Sequence, residues 1–243
     1  MNIVLFGSTG GIGSKLASYL SADNNLFLGA RDPQKLNNLI SKIQKPSNTI
    51  SGALLDASTF TSVEEFIKTA IKELGSIDGI INCVGSLILK PAHLTSEDEL
   101  LETIKINLFS CFAITKFGFR YLKNNGGSII FFSSSAAKVG LSNHEAIASS
   151  KGAIDSLVAS AASTYAKYNI RLNSISPGLV KTNLTRNIIE NEASLKFSTK
   201  LHALGRIGKP ENFIPIVQCL LDPSSDWITG QNFNVDGGLS NLK

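Results

Sequence analysis

The chain has 243 residues, of which 43% are hydrophobic and 17% charged, a composition typical of a globular protein that buries a full core. The net charge of +4 is small and no basic run exceeds two residues, which argues against nucleic acid or membrane as the main partner. Cys83, Cys111 and Cys219 are widely spaced and form no metal-ligand motif, so we expect buried thiols in a reducing compartment and no metal site.

The first residues already have the pattern of a strand. Met1 leads directly into Ile3–Phe6, which leaves no room for a signal or transit peptide. No apolar run approaches the roughly 18 residues that a membrane helix needs. The sequence therefore predicts a cytoplasmic protein.

Short β-rich runs alternate with longer amphipathic stretches along the whole chain. The predicted strands are Asn2–Phe6, Leu26–Ala30, Ile50–Leu54, Gly79–Cys83, Ser128–Phe132, Ile170–Ile175 and Asn232–Val235, and the clearest predicted helices are Val63–Glu73, Leu100–Lys123 and His144–Tyr168. This alternation predicts a single α/β domain over residues 1–243, a Rossmann-type, doubly wound, seven-stranded parallel sheet. The polar segment 182–208 is predicted to be a substrate loop, or lid.

The first strand runs into a glycine-rich turn, Gly7-Ser8-Thr9-Gly10-Gly11-Ile12-Gly13, and a helical pattern follows it. Glycine is needed where a strand turns sharply and where backbone N–H groups approach a pyrophosphate at a helix N-terminus. A glycine cluster alone is equally compatible with a simple tight turn. Its position between an N-terminal strand and a helix favours dinucleotide binding.

The spacing of Gly7, Gly11 and Gly13 resembles that of the short-chain dehydrogenase/reductase family. Further segments are similar to family motifs in the same order: Asn82-Cys83-Val84-Gly85, Asn107, Ser133-Ser134-Ser135-Ala136, Ser176-Pro177-Gly178 and Val235-Asp236-Gly237-Gly238. The resemblance implies a nicotinamide cofactor. The resemblance, the glycine turn and the end of the second strand together predict the cofactor-binding residues. These are Gly7, Ser8, Thr9, Gly11, Ile12, Gly13, Arg31, Asp56, Asn82, Gly85, Lys151, Pro177, Gly178 and Thr182.

The end of the second predicted strand indicates which dinucleotide is bound. A carboxylate that would select NAD is absent at Ala30, and the next residue, Arg31, suits a ribose 2′-phosphate. We therefore expect NADP(H), with NAD(H) as the alternative. Arg31 has a competing interpretation as a partner of Asp32. Asp56 resembles the family residue that binds adenine, and it is also placed to cap a helix beginning near Ser58.

The resemblance also implies catalytic roles. Ser134 matches the serine that orients the substrate oxygen, although a serine after a strand also commonly forms a turn. Lys151 matches the lysine that holds the nicotinamide ribose, and Asn107 the asparagine of a proton relay. The position of the family's tyrosine acid is occupied by Ile147, which has no proton to donate. Loss of a general acid typically costs about 10²–10⁴-fold in rate.

His144 is the candidate substitute for the missing acid. It precedes Lys151 by seven residues, so both are expected on one helix face. In the enoyl reductase branch of the family the tyrosine has this same offset. Imidazole is a competent acid near neutral pH. The alternative is that His144, with Asn143, only caps the helix start. His93 and His202 are predicted to lie in loops without a function.

The substrate and assembly are predicted from apolar and small residues. Apolar residues in the predicted lid, Leu184, Ile188, Ile189, Leu195 and Phe197, favour an apolar small-molecule substrate, or are core contacts of a lid helix. Small residues within 144–168 favour a homotetramer built on this helix and on Leu100–Lys123, or only fit the helix to its own sheet. The leading hypothesis is an oxidoreductase of a carbonyl, hydroxyl or enoyl group. The alternative is a non-catalytic NADP(H)-binding protein.

Overall fold

Seven parallel strands form one sheet at the centre of the computed structural model, which describes residues 1–242; Lys243, the last residue of the predicted domain, lies outside them. The strands are β1 Asn2–Phe6, β2 Asn25–Ala30, β3 Ile50–Leu54, β4 Gly79–Asn82, β5 Gly127–Phe132, β6 Ile170–Pro177 and β7 Asn232–Val235. Their order is β3-β2-β1-β4-β5-β6-β7, and every neighbouring pair is parallel. The predicted doubly wound α/β sheet in one domain is confirmed.

Helices connect the strands and cover both faces of the sheet. They are α1 Gly11–Leu20, α2 Pro33–Ile43, α3 Phe60–Leu74, α4 Glu97–Ile104, α5 Ser110–Leu122, α6 Glu145–Tyr165, α7 Arg186–Ile189, α8 Glu192–Leu201 and α9 Ile214–Leu221. Within residues 1–242, none of the helices has the length and apolar character needed to cross a bilayer.

The strand sequences are apolar on both faces because helices pack on both sides of the sheet. In β1, Val4 and Phe6 join the core on one face, while Ile3 and Leu5 join the core on the other. On the first face the ring of Phe66 from α3 lies 4.8 Å from that of Phe6. Such near-continuous apolar runs are typical of strands buried on both faces.

The predicted helix Leu100–Lys123 is not one regular helix. It consists of the end of α4, a π-helical turn over Lys105–Phe109, and α5. Asn107 lies in this turn, where its amide Nδ2 donates to the carbonyl oxygen of Thr103 at 2.8 Å. A π-helical turn inserts one extra residue and re-aims the side chains around it, a feature frequent at functional sites.

The segment 182–208 is more ordered than the predicted loop. It contains a 3-10 turn at Asn183–Thr185 followed by α7 and α8, and we call it the helical lid. The ends of the segment meet, because the Gly208 N–H donates to the Leu179 carbonyl at 2.8 Å and the Lys181 N–H donates to the Gly208 carbonyl at 3.0 Å. The helical lid is thus anchored at both ends beside β6.

Candidate active site

A cleft of about 650 Å³ opens where β4, β5 and β6 end. The carboxyl ends of parallel strands meet at one edge of such a sheet, which is where α/β proteins bind ligands. Of the predicted site residues, those that line the cleft are Ile12, Gly85, Ser134, His144, Lys151, Pro177, Gly178 and Thr182, together with Ile147. The structure therefore brings together residues that are up to 170 positions apart in the sequence.

The glycine turn, which includes Ile12, follows the end of β1. Gly7 has φ of +72°, and a Cβ on it would lie 2.9 Å from the backbone of Cys83 and Val84. A Cβ on Gly13 would clash with the Gly7 carbonyl oxygen, so the close approach of α1 to the end of β1 requires glycine at this position. No side chain caps α1, which leaves its first N–H groups available to an anion.

Ser8 and Thr182 take different positions around this turn. The Ser8 hydroxyl is fully buried and donates to the Gly29 carbonyl at 3.1 Å, so it braces the turn against β2. Thr182, at the start of the helical lid, packs with its methyl group against Gly11. The lid thus touches the turn that is predicted to hold the pyrophosphate. Thr9 is half-buried in the same turn.

Three consecutive serines after β5 face three different directions. The Ser133 hydroxyl donates to the Lys151 carbonyl of α6 at 3.0 Å. The Ser135 hydroxyl donates to the Asp236 carboxylate at 2.8 Å. Ser134, between these two buried residues, lines the cleft, and its hydroxyl oxygen accepts from the Ala136 N–H at 3.1 Å. Its buried neighbours therefore hold Ser134 in place.

Lys151 is 7% exposed, and its Nζ donates to the carbonyl oxygen of Phe132 at 2.7 Å. Burial lowers the pKa of Lys151, while Cys111, Asp155 and Cys83 oppose that shift. Burial raises the pKa of the Cys83 and Cys111 thiols. All three cysteines are unpaired, but the expectation of buried thiols is wrong for Cys219, which is exposed, while Cys83 is half-buried and Cys111 buried. The amine is thus held at the end of β5 by a main-chain carbonyl.

Asn107 and Asn82 shape the loop after β4. The Asn107 amide donates to Ser86 Oγ at 2.9 Å and accepts from the Ser86 N–H at 3.3 Å. Buried Asn82 accepts from the Val84 N–H at 3.0 Å. A Cβ built on Gly85 would lie 3.2 Å from Asn107 Oδ1 and 3.5 Å from Lys151 Nζ, so both groups face this glycine. The two asparagine side chains thus fix the loop after β4, which forms part of the cleft wall.

Two histidines line the cleft, but their hydrogen bonds differ. His144 is the N-cap residue of α6, where its carbonyl accepts from the Ala148 N–H, but its side chain makes no capping bond. Its Nδ1 lies 2.8 Å from the Ser142 carbonyl oxygen and must carry hydrogen to bond it. Its Nε2 has no hydrogen-bond partner in the part of the chain that the structure describes.

His202 was not expected to contribute to the site. It is 4% exposed, follows α8 directly and uses both ring nitrogens in hydrogen bonds. The sequence around His202 contains no motif that marks it, because only the fold brings the Leu179 N–H to its ring.

Arg31 and Asp56 lie outside this cleft, at the ends of β2 and β3. The competing partner of Arg31, Asp32, instead caps α2 through the Lys35 N–H and pairs with the Lys35 amine at 3.4 Å. Arg31 is exposed on the surface. Hydrogen bonds from Ser58 lower the pKa of exposed Asp56, with a smaller contribution from the Arg31 guanidinium.

The expected capping role of Asp56 is corrected by the structure. Helix α3 begins at Phe60, and its cap is the Thr59 hydroxyl, which accepts from the Ser62 N–H. Asp56 instead accepts from the Ser58 N–H and hydroxyl in the turn before the helix.

The cleft walls away from Lys151 are largely apolar. They include Leu87, Leu89, Val139, Leu141, Leu184, Ile188, Phe197 and Leu201. Three of the five apolar lid residues singled out in the sequence are in this set; Ile189 and Leu195 are not. Ile147 is 3% exposed and forms part of the wall one helical turn before Lys151.

Comparisons with known proteins agree with this geometry. The model of a family described as "Enoyl-(Acyl carrier protein) reductase" matches residues 7–240. A tropinone reductase homologue from Arabidopsis thaliana is 32% identical over 237 residues, covering 96% of this chain and 90% of that protein. A short-chain type dehydrogenase/reductase from Mycobacterium ulcerans has a TM-score of 0.94 and 25% identity, covering 99% of this chain and 90% of that one. ElxO with NADP bound has a TM-score of 0.89 and 25% identity, covering 98% of both chains.

Asp236 is the residue of this region whose effect on stability is most readily tested. Burial raises its pKa, but hydrogen bonds from Ser240, Ser135 and Gly238 outweigh burial and hold the pKa below its usual value. This carboxylate therefore stabilises the fold above its unfolded pKa, and the contribution is lost as the pH falls through the lowered folded pKa. We expect Asp236→Asn to lower the free energy of unfolding at pH 7 by about 1–3 kcal/mol.

Urea unfolding of both proteins between pH 7 and pH 3 measures this effect. The difference in the free energy of unfolding between wild type and Asp236→Asn should shrink on acidification, because the Asp236 carboxylate of the wild type becomes protonated. Exposed Asp23, substituted in the same way, is the matched control and should change little. A difference that stays constant down to pH 3 contradicts the assigned role of the Asp236 charge.

Proposed function

Since the chain belongs to the short-chain dehydrogenase/reductase family, we propose that it is an NADP(H)-dependent oxidoreductase acting on an apolar carbonyl, alcohol or activated alkene. The observation that carries this proposal is that one cleft is lined by Ile12 of the glycine turn, Ser134, Lys151 and the loop after β6. Its apolar walls favour a substrate without charge. We further propose that the protein is cytoplasmic.

The residues of the turn fit a dinucleotide. Gly7 and Gly13 keep the backbone free of side chains where a pyrophosphate would approach, and the uncapped N-terminus of α1 would bind its charge. Arg31 would bind the 2′-phosphate, with Asp56 beside it at the adenine end. The similarity to ElxO, whose structure has NADP bound, supports the same cofactor here.

When bound, the nicotinamide supplies or accepts a hydride. Lys151 would hold the ribose hydroxyls, because its amine lies at the end of β5 facing Gly85. Ser134 would orient the substrate oxygen from the half-buried position that Ser133 and Ser135 fix. Pro177 and Gly178 would provide the backbone on which the nicotinamide rests.

The proton must come from a group other than residue 147. We propose that Ile147 occupies the place of the family's tyrosine and that His144 replaces its function. With Nδ1–H held by the Ser142 carbonyl, the ring can donate a proton only from Nε2, and only as imidazolium. In the opposite direction the neutral ring accepts the proton at the same atom. Ser134 and Lys151 line the cleft with it.

A non-catalytic NADP(H)-binding protein is the second candidate function. The observation that favours it is buried Ile147, which presents only hydrocarbon to the cleft one turn before Lys151. Such a protein would keep the cofactor site and lose the proton donor. The retention of Ser134, Asn107 and Lys151 in one site favours the enzyme.

We also propose a homotetramer in which the α4–α5 path and α6 meet their symmetry mates. The outer side of the first path exposes Leu100, Leu101, Phe109 and Phe112. On α6, Ser149 and Ser156 are exposed and allow close approach of a second helix. Ala146 and Ser150 are buried instead, so the alternative of packing against the own sheet holds for that side of the helix.

Cofactor selection is the first test of the proposed function. We expect NADPH to bind more tightly than NADH, because the Arg31 guanidinium faces solvent near Asp56 and Asp32 is engaged with Lys35. Arg31→Ala should weaken NADPH by about 1–3 kcal/mol through loss of charge-assisted bonds and leave NADH nearly unchanged. Fluorescence titration of both cofactors measures this. Equal affinities of the wild type for NADPH and NADH contradict the assignment.

The second prediction concerns the proton donor. His144→Ala should remove most reductive activity while NADPH affinity stays near that of the wild type, because the proposed role of the ring is to donate the proton and not to hold the cofactor. Ile147→Tyr should restore or raise carbonyl reduction, because Ser134 and Lys151 are in place. A screen of apolar carbonyl and enoyl substrates, followed by NADPH absorbance, measures all three proteins. Exposed His93, replaced by alanine, is the matched control.

These variants also separate the two candidate functions. A fully active His144→Ala protein excludes the histidine as donor. An inactive wild type together with an active Ile147→Tyr protein identifies the non-catalytic binding protein.

The third prediction concerns assembly. Light scattering should give a mass about four times the 25.9 kDa of the chain. Phe112→Asp places a charge on the exposed ring position and should dissociate the assembly without unfolding the chain, because this side chain is 52% exposed. A wild-type monomer rules the tetramer out.

A further inference from the structure

His202 lies where the helical lid meets the end of β6. Its Nδ1 is 2.7 Å from the carbonyl oxygen of Ser198 in α8, and its Nε2 is 3.1 Å from the Leu179 N–H, which donates to it. The two bonds require a neutral ring with hydrogen on Nδ1. The ring is 4% exposed and faces the cleft on one side. It thus bridges two segments that both line the cleft.

Both main-chain polar groups of Leu179 are hydrogen-bonded. Its N–H donates to His202, and its carbonyl accepts from the Gly208 N–H at 2.8 Å. The ring also fits tightly against the residue before, since a Cβ on Gly178 would lie 2.5 Å from His202 Nε2. On its far side the ring approaches Gly237, after β7. The ring is therefore in contact with α8, with the Gly178–Leu179 peptide and with the segment after β7.

We propose that His202 is a positioning residue that couples the helical lid to the loop Pro177–Val180, which would support the nicotinamide. This inference rests on the proposed function for the identity of the cofactor, but the coupling is a property of the chain itself. When a substrate draws the lid inward through Leu184 or Phe197, His202 carries that movement to the Leu179 peptide. Because both ring nitrogens are occupied, His202 transfers no proton, in contrast to His144.

Three substitutions of His202 remove its bonds to Ser198 and Leu179 separately or together. Glutamine places an amide oxygen near the position of Nε2 and keeps the acceptor for Leu179. Asparagine is short enough to keep only the donor to Ser198. Leucine keeps the volume and removes both bonds. His93→Leu is the matched control because that histidine is exposed.

The experiment is amide hydrogen exchange of the full chain, resolved at Leu179 and in α8, combined with NADPH titration by fluorescence. His202→Leu should accelerate exchange at Leu179 by about tenfold, as expected for loss of one hydrogen bond. Exchange in α8 should accelerate with it, and the Kd for NADPH should rise several-fold. In His202→Asn the exchange rate at Leu179 should rise, while the exchange rate in α8 stays closer to that of the wild type. In His202→Gln the exchange rate at Leu179 should stay near that of the wild type, because the amide oxygen still accepts from the Leu179 N–H.

Unchanged Leu179 exchange in both His202→Leu and His202→Asn overturns the proposal. Equal acceleration in the leucine and glutamine variants also overturns it, since packing and not the acceptor would then hold the loop. If the leucine variant does not fold, the asparagine and glutamine pair gives the same decision. Hydrogen exchange measured without cofactor tests the coupling alone. Failure of the wild type to bind NADPH would therefore refute the proposed function without refuting the coupling.

Discussion

The parallel pairing of β1, β4, β5 and β6 is the constraint on which the cleft depends, because it delivers four carboxyl strand ends to one edge of the sheet. The strands are buried on both faces, so their ends are where the sheet offers polar groups to a ligand. Helix α6 is attached to this edge by two bonds of opposite direction. Ser133 donates to the Lys151 carbonyl, and the Lys151 amine donates to the Phe132 carbonyl. The position of His144 and Ile147 on α6 follows from that attachment.

Much of this edge is predictable from the sequence because it depends on local patterns. Each strand begins and ends within two residues of its predicted bounds, since alternation of apolar runs and turns is a local signal. The glycine turn is predictable because it lies between an N-terminal strand and a helix. Ser134, Lys151 and Gly178 are identified as site residues through the family resemblance, and the structure places all three at the cleft. The resemblance adds the order of these motifs, which local patterns alone do not give.

What could not be predicted depends on contacts between distant segments. The π-helical turn around Asn107 is set by its bonds to Ser86, which a helical period does not contain. The buried position of His202 arises from the return of the helical lid to β6. Two local assignments also failed: Asp32 is not the partner of Arg31 but accepts from the Lys35 N–H, and Asp56 does not cap α3 but accepts from the Ser58 N–H. Single residues with several local options are therefore the weakest part of such a prediction.

The close fit between Gly178 and His202 has an evolutionary consequence. A Cβ at position 178 would lie 2.5 Å from the ring and 3.2 Å from the Asp236 backbone, so a larger residue there requires a smaller side chain at position 202 and a small shift of the backbone at Asp236. Substitutions at the two positions are then non-additive, and the double variant should be less impaired than the sum of the single ones. Among descendants of this sequence the two sites should change together. A lineage that replaced the histidine first would gain freedom at the glycine, and with it a different backbone beneath the ligand.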